Sequence, residues 1–158
     1  MTPATENGGV LRRWGCVLVL AALGLAACDS GGDEPAPAEL IVGSWVLVGV
    51  SDARGDQTPT FQQNFNSVQA TFDADGTYRL VVDLVEGDDL TLSGPYALSE
   101  AQGTLTLTVE FGGAPTPVPF GFTFRGEDTL EVRGASNVLN LVLNTTLEGE
   151  VVLTLSRA

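Results

Sequence analysis

From Leu40 to the C-terminus, apolar side chains recur at every second residue, and no stretch carries the spacing of a long helix. Trp45 and Leu47 open the pattern, and Val68, Ala70 and Phe72 continue it. Tyr78, Leu80, Val82 and Leu84 follow, then Leu90, Leu92 and Tyr96, then Leu105, Leu107, Val109 and Phe111. Phe120, Phe122 and Phe124 come next, with Leu130 and Val132 behind them. Leu139, Leu141 and Leu143 read as one further strand, and Val151, Leu153 and Leu155 as the last. The intervening positions carry Thr91, Thr104, Thr106, Thr108, Glu110, Thr123, Arg125, Glu131 and Thr154. Successive strand residues face opposite ways, so this alternation predicts sheet with one buried face and one wet face.

The joints between these runs are short. Asp75-Gly76 is a hairpin signal, because glycine accepts the positive φ of a tight turn. Gly87-Asp88-Asp89, residues 99–103, Gly126-Glu127-Asp128 and Glu148-Gly149 serve in the same way. Two connections are longer. Residues 52–66 have room for a short helix or a lid, with Phe61 and Phe65 as its apolar side. Residues 112–119 (GGAPTPVP) hold three prolines and are not expected to pair as a central strand. Eight or nine strands joined mostly by hairpins predict an all-β fold, a single antiparallel up-and-down barrel of about eight strands. A two-sheet sandwich would need longer crossovers than the sequence offers.

Charge narrows the functional classes. Beyond residue 27 the chain has five Arg against 19 Asp and Glu, a formal charge of −14, and it contains neither Lys nor His. Nucleic-acid binding requires clustered cations, so that class is disfavoured, as is electrostatic attraction to anionic lipid. Catalysis is disfavoured too. Without His or Lys, no base near neutral pH and no Schiff-base amine is at hand, and beyond residue 27 the chain has a single Cys. His or Cys metal ligation and a bound cofactor are likewise not expected. Carboxylate pairs could in principle hydrolyse glycosides, but most acids fall in turns or on the wet faces.

Residues 1–27 form a second, different kind of segment. Arg12-Arg13 precedes an apolar run from Gly15 to Leu25, followed by Leu25-Ala26-Ala27-Cys28 and the polar stretch DSGGDEPAPAE. The run is shorter than the roughly 20 apolar residues needed to span hydrocarbon. Met1 to Gly9 is polar and longer than a signal needs, which leaves a start near Val10 open. The segment resembles a bacterial lipoprotein signal peptide with its lipobox. That resemblance implies cleavage before Cys28, and acylation of the Cys28 thiol and amino group with palmitate-type chains. Cys16 leaves with the signal, so no disulfide is possible in the mature chain. The organisation expected is a signal peptide over 1–27, a lipidated Cys28 with a flexible acidic linker over 28–39, and one domain over 40–158. The location implied is the bacterial cell envelope, at the outer membrane or cell surface rather than the inner membrane. Asp29 nevertheless resembles an inner-membrane retention mark of one bacterial group, whereas the acidic stretch after Cys28 resembles a surface-export mark of others.

The domain itself resembles the lipocalin-like domains of bacterial lipoproteins. The likeness rests on Gly43-Ser44-Trp45 in the first strand and on the Phe72-Asp73-Ala74-Asp75-Gly76-Thr77-Tyr78 hairpin. Gly94-Pro95-Tyr96 and the closing strand from Val151 to Ser156 also contribute. In that family the tryptophan closes the bottom of the barrel beneath an arginine that follows the last strand. The resemblance therefore gives Gly43, Trp45 and Arg157 structural roles, with a cation–π contact between the last two. It also implies a calyx for a small apolar or amphipathic ligand. Phe61 and Phe65 would lie at its mouth, and Tyr78, Leu80, Leu107, Val109, Phe122 and Leu141 would line it. The alternative is a structural or adaptor lipoprotein whose filled barrel binds another envelope protein; Phe120, Phe122 and Phe124 suit filling as well as lining. Asp73-Ala74-Asp75-Gly76 resembles the start of a calcium loop but lacks its closing Glu, and reads as a charged turn. Asp88-Asp89 reads as a solvated turn, and Asn144-Thr145-Thr146 as a polar bend between the last strands.

Overall fold

The computed structural model describes residues 35–143 and 145–158. The expected signal peptide, Cys28 and the linker before Pro35 lie outside those residues. The described chain builds nine strands: β1 (Gly43–Asp52), β2 (Gly55–Asp56), β3 (Phe65–Phe72), β4 (Thr77–Leu84), β5 (Leu90–Ser99), β6 (Thr104–Phe111), β7 (Ala114–Phe124), β8 (Thr129–Ala135) and β9 (Glu150–Arg157). All neighbours are antiparallel and follow chain order, except that β3 pairs with β1 and the two-residue β2 merely extends β1. β9 returns to β1, with Trp45 opposite Arg157, and closes an eight-stranded barrel. Three α-helices accompany it, α1 (Pro37–Leu40), α2 (Thr58–Phe61) and α3 (Ser136–Leu143), with one 3-10 turn at Glu100–Gln102.

The alternation explains the core. Val68, Ala70 and Phe72 of β3, Tyr78 and Val82 of β4, Leu105 and Val109 of β6, and Leu130 and Val132 of β8 are all buried on the inner face. Among the described residues no Asp, Glu, Arg, Asn, Gln, Ser or Thr is buried as a whole, although the side chain of Asp52 is. Because the sheet closes on itself and its described core lies within residues 41–155, residues 35–158 form a self-contained folding unit.

Three features differ from the sequence reading. The last apolar triplet is helix α3, not a strand: Leu139 and Leu143 are buried one turn apart, while Leu141 between them is 70% exposed. Eight residues give a helical period barely two turns, and Leu-x-Leu-x-Leu satisfies both patterns. The proline-rich segment does pair. Pro115, Pro117 and Pro119 sit in β7 opposite Glu110, Thr108 and Thr106 of β6. β8 joins β7 only from Gly121 to Phe124, so the prolines fall where the second edge of β7 has no ladder to break. Finally, the fold starts before Leu40. Pro37, with its φ fixed by the ring, begins the single turn α1, and Ala38 N–H donates to Glu100 Oε1 (3.3 Å).

Candidate functional site

The two ends of the barrel are built differently. At the lower end Trp45 is fully buried, and its indole N–H donates to Ile41 O at 2.8 Å. Arg157 lies over the Trp45 ring, 4.5 Å from guanidinium carbon to ring centre. The same guanidinium donates to Leu40 O (2.7 Å), Val42 O (3.2 Å) and Glu127 O (3.2 Å). One side chain thus ties the chain's entry into the barrel to its last strand. Gly43 makes room for it: φ is +131°, and a Cβ there would come within 2.8 Å of an Arg157 nitrogen. The structure therefore brings Gly43, Trp45 and Arg157 together. Phe124 packs beside Trp45 with ring centres 6.0 Å apart, and Phe122 meets Phe124 edge-on at 5.8 Å. Phe122, expected to line the calyx, belongs instead to this plug. It is the next inward residue below Phe120 on a descending strand, too low to reach the cavity.

Above the plug lies an apolar cavity of about 100 Å³. Tyr78, Leu80, Leu107 and Val109 line it as expected, with Leu47, Val68, Phe120 and Val132 around them. Tyr78 brings the wall's polar group, and that group is occupied: its hydroxyl donates to Thr108 O at 3.2 Å. Gly94 permits this arrangement, since a Cβ there would collide with the Thr108 carbonyl. Burial in these surroundings pushes the Tyr78 hydroxyl pKa upward, so the wall stays neutral.

The upper end is closed by α3. Val138, Leu139 and Leu143 reach down into the cavity wall. Leu141, expected to line the calyx, points away to solvent because a helix turns it about 160–200° from its neighbours at 139 and 143. Val138 is a lining residue that the strand reading did not name; Leu139 and Leu143 keep the inward side which that reading gave them, but on a helix and not a strand. Their i, i+4 spacing is a signal, but one that a period of two also satisfies. Phe61 and Phe65 lie nearby, stacked at 4.1 Å, yet they wall the neighbouring surface grooves and do not face the cavity.

Polar bonds hold α3 from its C-terminal side. Asn140 donates to Leu147 O and accepts from Leu147 N–H and Thr145 hydroxyl, each at 2.8 Å. Asp52 grips the next residues. Its carboxylate pairs with Arg54 at 2.7 Å and accepts Glu148 N–H at 2.9 Å, while Arg54 donates to Thr146 O. These bonds, with that from Arg54 first, hold the Asp52 carboxyl at about 2, below its ordinary 3.8. No sequence motif announced this clasp, because its partners stand 92–96 residues apart.

Two acidic groups elsewhere serve structure. Asp75 accepts Thr77 N–H and hydroxyl bonds (3.0 and 2.6 Å), the ordinary chemistry of a hairpin turn. Glu131 on the outer face of β8 pairs with Arg125 and Arg133, which lower its pKa. Among the described residues, no group of three or more acidic, His or Cys side chains is placed to hold a metal ion. No protein-family model matches this chain, and no curated protein matches it.

Proposed function

We propose that this chain is a lipid-anchored binding module of the bacterial envelope, held to a membrane through acylated Cys28, whose barrel takes a small apolar or amphipathic ligand. The observation that carries this reading is the cavity above Tyr78, wholly apolar and roofed by a short helix rather than by sheet. Most barrel interiors of this size are filled by their own side chains; one that leaves a dry space beneath a removable roof is suited to a guest. At about 100 Å³ it is smaller than the roughly 150 Å³ void that admits benzene, so a ligand inserts only a slender apolar end. Catalysis plays no part in this reading.

The same small volume favours a second reading, an adaptor with a filled barrel that binds another envelope protein through its loops. Native mass spectrometry of residues 29–158, purified without detergent, separates the two. A small-molecule adduct that disappears on denaturation is expected for the binding module. A bare mass, with no uptake from a mixture of fatty acids, alcohols and amines, would leave the adaptor.

A further inference from the structure

A larger hollow of about 710 Å³ opens at the upper rim, on the side of the barrel formed by β3, β4 and β5. Its apolar floor is Phe65, Val82, Leu84 and Leu90, and Leu143 of α3 forms one flank. The ladder register shows how this hollow relates to the cavity. Val82 pairs with Leu90, and Leu80 pairs with Leu92, on the same inward face. The first pair floors the hollow and the second lines the cavity, so the two spaces lie one inward step apart, about 7 Å along the strands. Leu143 borders both. The rim is preformed: Val85 N–H donates to Asn64 O at 3.0 Å, and Asn66 donates to Asp83 (2.9 Å) and to Leu84 O (3.1 Å).

The charge of this rim has one sign. Glu86, Asp88 and Asp89 border it, with the neutral Gln63 and Asn64 opposite, and among the described residues no Arg lines it. Resting on the ligand-binding reading above, we infer that hollow and cavity are one site for a single-chain amphiphile with a cationic, amine-type head. The alkyl end passes Leu143 into the cavity, and the head stays at the Glu86–Asp89 rim. Each methylene taken from water favours entry, and the carboxylates select the head. A fatty acid would present a carboxylate to three others and is discriminated against.

Calorimetric titration of residues 29–158 with decyltrimethylammonium, decanol and decanoate, each below its micellar concentration, tests this. At low salt the cation is expected to bind about tenfold tighter than decanoate, with decanol between; the preference should shrink as salt screens the rim. A Glu86→Gln, Asp88→Asn, Asp89→Asn variant, altered only at exposed positions, should lose the preference while still binding decanol. Leu143→Trp, which blocks the passage and leaves surface charge unchanged, should abolish binding of all three. Equal binding of the three chains would overturn the head assignment and leave the binding module standing. Binding of the cation alone, unaffected by Leu143→Trp in a folded variant, would mean surface adsorption and overturn the site. No binding by any chain would remove both readings.

Discussion

The lower and upper ends of this barrel solve the same problem, closing a tube of strands, with different chemistry. The lower end is closed by side chains that belong to the sheet and are cross-tied: Trp45 and Phe124 fill it, and Arg157 fastens it to three backbone carbonyls. The upper end is closed by α3, an eight-residue helix inserted between β8 and β9. Its inward grip is a few leucine and valine side chains, and its polar ties run through Asn140 and the Asp52–Arg54 clasp. Breaking the lower closure means breaking the sheet. Breaking the upper one means lifting one helix, which costs only its own contacts. The difference teaches where a ligand can enter a barrel without unfolding it.

The comparison is broken most forcefully at Trp45. Trp45→Ala leaves a large void under a fully closed sheet and is expected to cost about 3–5 kcal/mol in denaturant unfolding. Arg157→Ala removes three charge-assisted bonds and the ring contact, for a loss of about 2–3 kcal/mol. Gly43→Ala, which forces a side chain into positive φ against Arg157, should cost about 1–3 kcal/mol. An unchanged melting temperature in both Trp45→Ala and Arg157→Ala would show that the lower end is no clamp. Leu143→Ala sharpens the contrast: it should cost only about 2 kcal/mol, the low end for a buried leucine, because the helix can settle or open locally. A loss as large as that of Trp45→Ala would make α3 a full part of the core.

The smallest effect concerns pH. The Asp52 carboxyl is held at about 2 in the fold against an ordinary 3.8. A lowered carboxyl stabilises above its unfolded value, so the clasp is at full strength above pH 3.8 and is lost as pH falls through about 2. Between pH 5 and pH 2 the wild type should therefore lose melting temperature that Asp52→Asn does not lose. Parallel declines would show that the clasp contributes nothing.

Much of the lower end was legible in the sequence and little of the upper end was, for a physical reason. Strand alternation and the turn glycines are local signals, so the barrel and the Asp75-Gly76 hairpin could be anticipated from them; the placing of Trp45 beside Arg157 came from the family resemblance alone. The upper end depends on competition between patterns. Leu139, Leu141 and Leu143 fit a strand until the chain leaves β8 with no neighbour to pair with, and there a helix buries two of the three. Pro115, Pro117 and Pro119 forbid a central strand but not a half-free edge, and which strand ends early is settled by the β7–β8 register. Phe122 was on the expected face but at the wrong height, which alternation does not encode.

Native-state amide hydrogen exchange on residues 29–158 tests the account most directly. The amides of α3 should exchange by a local opening well below the free energy of global unfolding. Those of β1 and β9 around Trp45 and Arg157 should exchange only with the whole barrel. Equal protection at the two ends would contradict the claim that α3 is a separable roof over the cavity.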